Sequence, residues 1–425
     1  MATSGSKSYY PWVVAVSALF WSGLVFGLMA NTVGLYYAPV STEMGWSITQ
    51  TSFFMTIFPI VAGVFSPIAG KLYSSYPKTH HILAGVALVW CLAHIWSAFY
   101  TSVWQWNVYG FITGILGGLL MYIPIPLLIN NWFTLQKGVA LGLAACFVNI
   151  VPAVFNPIIT NQIALHGWRS VRLTVAIAVA VVVIPLTLAL VRKFPQDKGL
   201  QPWGGQTAAG ATAGVPALSG VKAGAALASA PFWLAILMVS CLVSTASINQ
   251  RIAGLAAARE FDPAVIGLAA SCIMIGAVVG KFILGFIRDI SKNAVVTGVV
   301  CGCFGLLGCF LFLTLGTSSV FMFFASILIY GFGYAGLTVV PPIVVESAFG
   351  GKNFAQIFAN VSVATCVASS ISSLVYAQII DRSGGRYEGC FVFAIILYAV
   401  FTICVPLIIK LGQKLPRESA EPDPR

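Results

Sequence analysis

Long apolar stretches separated by short polar segments follow one another along the whole 425-residue chain. Each stretch is about as long as the ~20 residues that a helix needs to cross the hydrocarbon core of a bilayer. Helices are favoured there because a helix satisfies its own backbone hydrogen bonds where lipid offers none. We therefore predict an all-α membrane protein with twelve transmembrane helices, near residues 11–38, 48–74, 80–100, 103–130, 137–163, 168–192, 231–257, 264–287, 294–316, 318–346, 353–380 and 388–411.

The composition agrees with a chain that faces lipid, since 59% of its residues are hydrophobic and only 8% are charged. The net charge of +11 could indicate nucleic-acid binding, but most of the Lys and Arg residues lie in short segments between apolar stretches. Membrane proteins use basic residues in that way, so we expect the lipid bilayer as a partner and no nucleic acid. The cysteines lie mostly inside apolar stretches and the four histidines are scattered. No metal site and no cofactor are predicted.

A Gly-, Ala- and Pro-rich segment at residues 193–230 separates the first six stretches from the last six. We predict a six-helix bundle at 1–192, a flexible linker at 193–230, a second six-helix bundle at 231–412 and a tail at 413–425. Fifteen Lys and Arg residues fall on the side of the linker and five on the other side. Basic residues favour the cytoplasmic side, so both termini are predicted to be cytoplasmic. Low surface charge and the lack of eukaryotic targeting features favour a bacterial plasma membrane.

The two predicted bundles repeat each other at an offset of about 215 residues. The segment "NNWFTLQKG" follows the fourth stretch and "ESAFGGKN" follows the tenth. In the same way, "SPIAGKLYSS" leaves the second stretch and "KFILGFIRDI" leaves the eighth. Parallel repeats of six helices are typical of secondary transporters.

A lysine, Lys281, lies inside the eighth apolar stretch, in "GAVVGKFILGFIRD". It precedes Arg288 by seven residues, which places it ~10 Å deeper in the membrane. Side chains lean toward the N-terminus of their helix, so this ammonium is expected to tilt toward the bilayer centre. Ionisable groups at that depth usually serve function. We expect a substrate carboxylate as its counter-charge; a lysine that snorkels to the headgroups is the alternative.

Four segments carry a resemblance to a known family: "NWFTLQKGVALGL", "FPQDKGLQPWG", "GKFILGFIRD" and "PPIVVESAFGGKNF". Through them the chain resembles the major facilitator superfamily, and within it the monocarboxylate porter and oxalate–formate antiporter group. The resemblance implies a secondary transporter of twelve spans. Lys281 matches the position where this group carries a basic residue, usually arginine, that holds the substrate's carboxylate. Lysine lacks the two-pronged fork of arginine, so a weaker grip is expected.

Further candidate substrate-binding residues follow from the resemblance and from polarity inside apolar stretches. Tyr122 and Tyr334 match positions where the group lines its cavity with aromatic side chains. Asn31 sits where proton-coupled animal relatives carry a lysine, and a hydrogen bond between helices is its alternative role. Arg251, in "SINQRIAGL", would face the cavity mouth beside Gln250 if the seventh helix is broken there. Otherwise Arg251 is an interfacial arginine.

We predict a transporter that moves a small organic monocarboxylate across the plasma membrane by alternating access and that works as a monomer. The oxalate antiporter that the chain resembles carries a second lysine in the eleventh stretch, and "FANVSVA" here has none. A single central cation suits a substrate with one carboxylate. The alternative is an exporter or exchanger of another organic anion or of a drug-like amphipathic compound. An enzyme is not expected, because the apolar stretches offer no paired acids, no His–Asp pair and no His cluster.

The coupling mode stays open at this stage. Proton-coupled relatives carry an aspartate one turn before the basic residue of the eighth span, and Ala277 stands there instead. Anion exchange, facilitated diffusion and a proton carried by Lys281 itself are the three alternatives.

Overall fold

Helices make up nearly all of the residues that the computed structural model describes, which are 9–76, 78–121, 124–133, 136–204, 220–315 and 319–417. Within them, eleven helical segments are long and apolar enough to cross a membrane. The segment Gly142–Leu190 crosses twice, because 49 helical residues would measure more than ~70 Å and the backbone leaves the helical region at Gly167 (φ 75°, ψ 156°). The twelve predicted crossings are confirmed.

The twelve spans are numbered here in chain order. Spans 1 to 6 consist of the helices Tyr10–Trp21 with Gly34–Met44, Ile48–Ser52 with Phe54–Ser75, Thr79–Ser97, Val103–Leu120 with Pro124–Trp132, and the two arms of Lys137–Leu190. Spans 7 to 12 consist of Ala230–Thr245 with Ile252–Ala258, Pro263–Ser291, Ala294–Thr314, Val320–Tyr334 with Gly336–Phe349, Phe354–Arg382, and Glu388–Gly412. We call spans 1 to 6 the N-terminal half and spans 7 to 12 the C-terminal half.

Spans 1 and 7, the first span of each half, are both interrupted. The sequence predicts a continuous helix for span 1, but Ser22–Asn31 forms a π-helical stretch. Span 7 passes through a 3-10 turn at Ala246–Ile248 and becomes α-helical again at Ile252, which is the break that "SINQR" indicates. Irregular helix at membrane depth is tolerated where it borders protein or a water-filled space, and π-helical turns are frequent at functional sites. A functional site is therefore expected beside these two interruptions, in the space between the halves.

Close backbone contacts hold neighbouring spans together inside each half. A Cβ on Gly118 of span 4 would lie 2.6 Å from the Ala62 carbonyl oxygen of span 2. A Cβ on Gly276 of span 8 would collide with the Leu328 carbonyl oxygen of span 10. Small residues allow this approach, which adds van der Waals contact between helices that lipid does not drive together. The contact between spans 8 and 10 also determines which face of span 8 is left for the centre of the molecule.

The two ends of the linker attach to corresponding loops of the two halves. The Trp203 N–H donates to the Trp132 carbonyl (2.8 Å), and the Val221 N–H donates to the Phe349 carbonyl (2.8 Å). Trp132 belongs to "NNWFTLQKG" and Phe349 to "ESAFGGKN", the segments that the sequence repeat relates. We call this end of the molecule the linker end and the opposite end the far end. Residues 205–219 of the predicted linker and 418–425 of the predicted tail lie outside the described residues.

Candidate functional site

A cavity of about 400 Å³ lies between the two halves. Its volume is within the ~300–1,000 Å³ range of small-molecule sites. Four of the six predicted substrate-binding residues line it: Lys281, Tyr334, Asn31 and Gln250. Polar side chains of both halves complete the lining, namely Asn149, Ser247, Asn249, Thr338, Thr365 and Ser369.

Lys281 is the only charged residue among the described residues that line the cavity. It lies on span 8, ten residues before the end of the helix at Ser291. The face of span 8 that carries Gly276 and Gly280 is packed against span 10, which leaves Lys281 at the cavity wall. Its side chain is half-buried. A cation thus stands in a space that both halves enclose.

Tyr334 and Asn31 lie where two helical stretches end. Tyr334 is the last residue of the helix Val320–Tyr334, and its ring centroid lies 6.5 Å from that of Tyr330. Asn31 closes the π-helical stretch of span 1, and its Nδ2 donates to the Val148 carbonyl oxygen (3.2 Å). The sequence left a cavity-facing role and a bond between helices as alternatives for Asn31, and the structure combines the two.

The break in span 7 brings Gln250 to the cavity. The turn after Ala246–Ile248 carries Asn249 and Gln250 into the lining. The Tyr37 hydroxyl of span 1 donates to Gln250 Oε1 (3.1 Å), so a residue of the N-terminal half contacts this side chain. Because its oxygen is engaged in this way, Gln250 has its amide N–H groups available as donors.

The structure places Arg251 in the interface between the halves, apart from the described cavity lining. Its side chain is buried, with 3% exposure. Its Nη2 donates to Ser52 Oγ (3.1 Å) in span 2 and to the Ser373 carbonyl oxygen (2.9 Å) in span 11. Its guanidinium carbon lies 4.9 Å from the centroid of the Tyr37 ring, a cation–π distance. Arg251 therefore joins both halves at the far end.

Asp381, at the end of span 11, makes a second connection at the far end. Its carboxylate accepts hydrogen bonds from the backbone N–H groups of Ile48 (3.2 Å) and Thr49 (3.0 Å), at the start of span 2. A carboxylate at a helix N-terminus meets unsatisfied N–H groups and the positive end of the helix dipole. The far ends of spans 2 and 11 are held together by this pair of bonds.

Backbone contact between the halves extends across the far end. A Cβ on Gly34 of span 1 would collide with the Gln250 carbonyl oxygen of span 7. A Cβ on Gly267 of span 8 would collide with Pro157 of span 5. These contacts close the far end of the molecule.

One predicted residue lies outside the described part of the chain, and three described residues near the site were not predicted from the sequence. Tyr122, the sixth predicted residue, lies outside the described residues. Asn149 also lines the cavity, and it carries the same signal as Asn31, an amide inside an apolar stretch. Tyr37 and Ser373 contact Gln250 and Arg251 from spans that are distant in the sequence, and the sequence offers no signal for such contacts.

A buried polar cluster stabilises the N-terminal half away from the cavity. His94 Nδ1 lies 2.8 Å from the Tyr109 hydroxyl. Arg172 of the same half is 1% exposed. Its guanidinium lies over the rings of Tyr36, Trp106 and Tyr109, at 4.9 to 5.2 Å. Arginine stacks readily on aromatic faces, which explains how the cation is accommodated there.

Two other features of the described residues do not form a competing site. A groove of about 480 Å³ lies between spans 7, 11 and 12, but its apolar lining includes Val363 (65% exposed) and Ile371 (57% exposed), as expected for a lipid-facing surface. Among the described residues, no group of three or more His, Cys, Asp or Glu side chains could hold a metal ion.

Solved structures of other transporters share this architecture. A bacterial homolog of the human lysosomal transporter Spinster matches with a TM-score of 0.69 at 13% identity, over 96% of this chain and 98% of that chain. The nucleoside transporter NupG matches with a TM-score of 0.70 at 11% identity, over 95% and 99% of the two chains. A D-xylose-proton symporter gives 0.69 at 12% identity, over 96% and 98%. At such identities the likeness concerns the fold alone.

Two curated proteins have sequences similar to part of this chain. Monocarboxylate transporter 13 of Bos taurus is 24% identical over 185 residues, which are 42% of this chain and 43% of the relative. That of Rattus norvegicus is 25% identical over 166 residues, or 39% and 38%. The matched region thus spans less than half the length of these relatives. The family model described as Major Facilitator Superfamily matches residues 19–252 and 252–424, and the chain therefore belongs to this superfamily.

Proposed function

We propose that this protein is a secondary transporter that moves a small organic monocarboxylate across the plasma membrane of a bacterium by alternating access. The observation that carries the proposal is the position of Lys281, a cation on the wall of a 400 Å³ cavity between the halves. Ionisable residues that face a cavity at membrane depth mark substrate pathways. Lys281 is the proposed contact of the substrate's carboxylate.

The other polar groups of the cavity suit an anion with hydrogen-bond acceptors. The Lys281 ammonium carries three N–H donors and no acceptor, and the amides of Gln250 and Asn31 each add two N–H donors, of which Asn31 uses one for the Val148 carbonyl. Attraction between opposite charges is several times stronger in a partly desolvated site than in bulk water. A carboxylate supplies the acceptors that such donors require, whereas a cationic compound would meet repulsion from Lys281.

The apolar part of the lining suits a short carbon skeleton. Tyr334 and Leu337 of span 10 line the cavity together with Phe58 and Pro59 of span 2. Small-molecule sites combine apolar walls with a few placed polar groups in this way. We propose that these side chains pack against the carbon atoms of the substrate, with Tyr334 closing one side and Tyr122 contributing from span 4.

Both halves contribute to one site, which is the geometry that alternating access requires. We propose that residues 1–192 and 231–412 rock against each other about this site, joined by the linker 193–230, with both termini and the tail 413–425 in the cytoplasm. A single chain completes the site, so the functional unit is a monomer. We propose that substrate reaches Lys281 from the linker end while the far end is closed.

The names of the two curated relatives favour a monocarboxylate as cargo. The sugar and nucleoside transporters share the fold only and therefore do not bear on the cargo. An exporter or exchanger of another organic anion, or of an amphipathic drug-like compound, is the competing candidate that the experiment below must separate.

Replacement of Lys281 tests the proposal. In proteoliposomes loaded with short monocarboxylates, counterflow of labelled substrate is expected to fall by at least ~100-fold in Lys281→Ala, because a buried charge-assisted contact is lost. Lys281→Arg should retain counterflow, since the charge remains and arginine can grip a carboxylate with two N–H groups. Both variants must give the same melting temperature as the wild type in detergent without substrate.

Thr338→Ala provides the matched control, because it removes a polar group from the same cavity without changing its charge. It should change counterflow of carboxylates only a few-fold, by roughly one hydrogen bond. Carboxylate counterflow that persists in Lys281→Ala would contradict the role of this residue. Counterflow of larger amphipathic anions, but of no short carboxylate, would favour the competing candidate. Repeating the assay with and without a pH gradient separates proton-linked transport from exchange.

A further inference from the structure

Tyr37 contacts two neighbouring residues of span 7 in two different ways. Its hydroxyl donates to Gln250 Oε1 at 3.1 Å, and its ring lies under the Arg251 guanidinium at 4.9 Å. Tyr37 is itself 2% exposed. One buried side chain of span 1 therefore touches a cavity-lining residue and a residue of the far-end interface.

The hydroxyl of Tyr37 determines how Gln250 can face the cavity. An amide side chain has one acceptor end and one donor end, and rotation by half a turn exchanges them. The hydrogen bond from Tyr37 uses the acceptor end, so the N–H donors of Gln250 are available for another partner. Without that bond, either end of the amide could face a ligand. The orientation that suits a carboxylate thus depends on a residue outside the cavity lining.

The contact also depends on the far end being closed. Tyr37 belongs to the N-terminal half, whereas Gln250 and Arg251 belong to the C-terminal half. Ser52, the hydrogen-bond partner of Arg251 in span 2, lies in the N-terminal half as well. When the two halves separate at the far end, these bonds break together, and Gln250 loses the group that orients it.

We infer that Tyr37 is a positioning residue that couples the orientation of Gln250 in the binding cavity to closure of the far end. This inference rests on the proposed function for its ligand, an anion with carboxylate acceptors. Coupling between two events is reciprocal. If closure of the far end improves the fit of Gln250 to a carboxylate, then a bound carboxylate stabilises the closed far end by the same factor.

Tyr37→Phe isolates the coupling, because phenylalanine keeps a ring under Arg251 and removes only the hydroxyl. The affinity for a transported monocarboxylate, measured by calorimetry on the purified protein, is expected to weaken by about three- to tenfold, the effect of one hydrogen bond. Tyr36→Phe is the matched control. It changes the adjacent tyrosine of the same helix, whose hydroxyl makes no hydrogen bond within the described part of the chain. Its affinity should stay within about twofold of the wild type.

A double-mutant cycle separates a positioning role from a merely structural one. In a Gln250→Ala background, Tyr37→Phe should have no further effect on affinity, because the amide that it orients is absent. An equal loss in both backgrounds would overturn the inference, and so would an unchanged affinity of Tyr37→Phe in the wild-type background.

Labelling of Cys366 gives a second readout that needs no substrate. This native cysteine lines the cavity, so a membrane-impermeant maleimide added on the far-end side of intact cells reaches it when the far end opens. Tyr37→Phe should raise the labelling rate a few-fold, and Arg251→Gln should raise it roughly tenfold, since it removes a charge-assisted hydrogen bond and a cation–π contact. Tyr36→Phe should not change the rate, and Cys366→Ala defines the background.

The two readouts distinguish failure of this inference from failure of the proposed function. If the wild type binds no carboxylate, yet Tyr37→Phe still raises Cys366 labelling and Gln250→Ala cancels that rise, the coupling stands and the cargo is wrong. If carboxylates bind and Tyr37→Phe alters neither affinity nor labelling, the coupling is wrong and the cargo stands. Where Arg251→Gln fails to fold, Arg251→Lys replaces it. It retains the charge over Tyr37 but lacks the fork that reaches Ser52 and Ser373, so a smaller rise is expected.

Discussion

Lys281 and Arg251 are two cations within spans of the same half, and their surroundings give them different tasks. The Arg251 guanidinium is planar and reaches partners in two directions, which suits a connection between two halves. The Lys281 ammonium is a compact charge on a flexible stem at the wall of a cavity. The same formal charge therefore stabilises an interface at one position and, as proposed above, receives a substrate at the other.

Tyr109 offers a test of the buried cluster at the residue scale. Tyr109→Phe removes the hydroxyl that lies 2.8 Å from His94 Nδ1, and it leaves the ring in place under Arg172. We expect the free energy of unfolding to fall by ~1 kcal/mol, because His94 Nδ1 loses its shorter hydrogen bond and keeps only its contact with Arg172 Nη2 at 3.4 Å. Thermal unfolding in detergent measures the change.

Tyr36→Phe again supplies the comparison, since its ring also lies against Arg172 and its hydroxyl makes no hydrogen bond among the described residues. Its stability should remain within ~0.5 kcal/mol of the wild type. Equal destabilisation by both substitutions would mean that the rings, and not the Tyr109 hydroxyl, determine the stability of the cluster.

At the scale of elements, the interruption of span 7 explains how adjacent residues reach different surroundings. Asn249 and Gln250 line the cavity, whereas Arg251 contacts spans 2 and 11. A regular helix presents neighbouring residues at steps of ~100°, so two consecutive residues rarely share one wall. The turn between Ala246–Ile248 and Ile252–Ala258 relaxes this constraint. The proposed site therefore requires the irregular backbone of span 7.

Span 8 allows a test of far-end closure with an internal control. Gly267→Ala places a methyl group against the backbone of Pro157 in span 5, where no space is left. We expect a faster reaction of Cys366 with maleimide from the far-end side and a loss of ~1–3 kcal/mol in stability, because backbone atoms cannot yield locally.

Gly285→Ala changes the same helix at a position where a Cβ would meet nothing within 4 Å. It should leave Cys366 labelling unchanged and gain up to ~1 kcal/mol, since alanine is the better helix former. Equal labelling of the two variants would argue that contact between spans 5 and 8 does not keep the far end closed.

At the scale of the whole molecule, each described end of the linker belongs structurally to its own half. Trp203 bonds to Trp132, and Val221 bonds to Phe349 and accepts from Asn353 Nδ2 (3.0 Å). These contacts hold each linker end against the loop between the fourth and fifth spans of its half. Rigid movement of one half relative to the other would therefore leave both contacts intact.

A split chain tests this arrangement. Co-expressed fragments 1–204 and 220–425 retain both attachments and the contacts between the halves. We therefore expect them to assemble and to show counterflow of the transported carboxylate within about an order of magnitude of the intact chain. Co-purification through a tag on one fragment measures the assembly.

Fragments 1–194 and 195–425 form the comparison, because this division moves Trp203 away from the half that it contacts. We expect lower recovery of the complex from this pair. Equal recovery of the two pairs would show that the attachment at Trp132 contributes nothing to assembly.

The number of spans, their approximate bounds and the position of Lys281 inside a span could be predicted from the sequence alone. These features depend on length, apolar composition and helix geometry, which are local properties and need no knowledge of neighbours. The break in span 7 was also visible, because four of the five residues in "SINQR" are polar although the segment lies inside an apolar stretch. Lys281, Tyr334, Asn31 and Gln250 all lie in the cavity lining, as candidates chosen from polarity and resemblance.

The division of the remaining polar side chains between the interface and the cavity depends on how the helices pack in three dimensions. Arg251 and Gln250 are adjacent in the chain, yet their partners Ser52, Ser373 and Tyr37 come from spans far away in sequence. Such contacts depend on the rotation and approach of whole helices, which backbone contacts at glycines such as Gly34 and Gly267 set. A pattern along one helix contains no information about the helix that it will face, and for that reason the closed far end could not be read from the sequence.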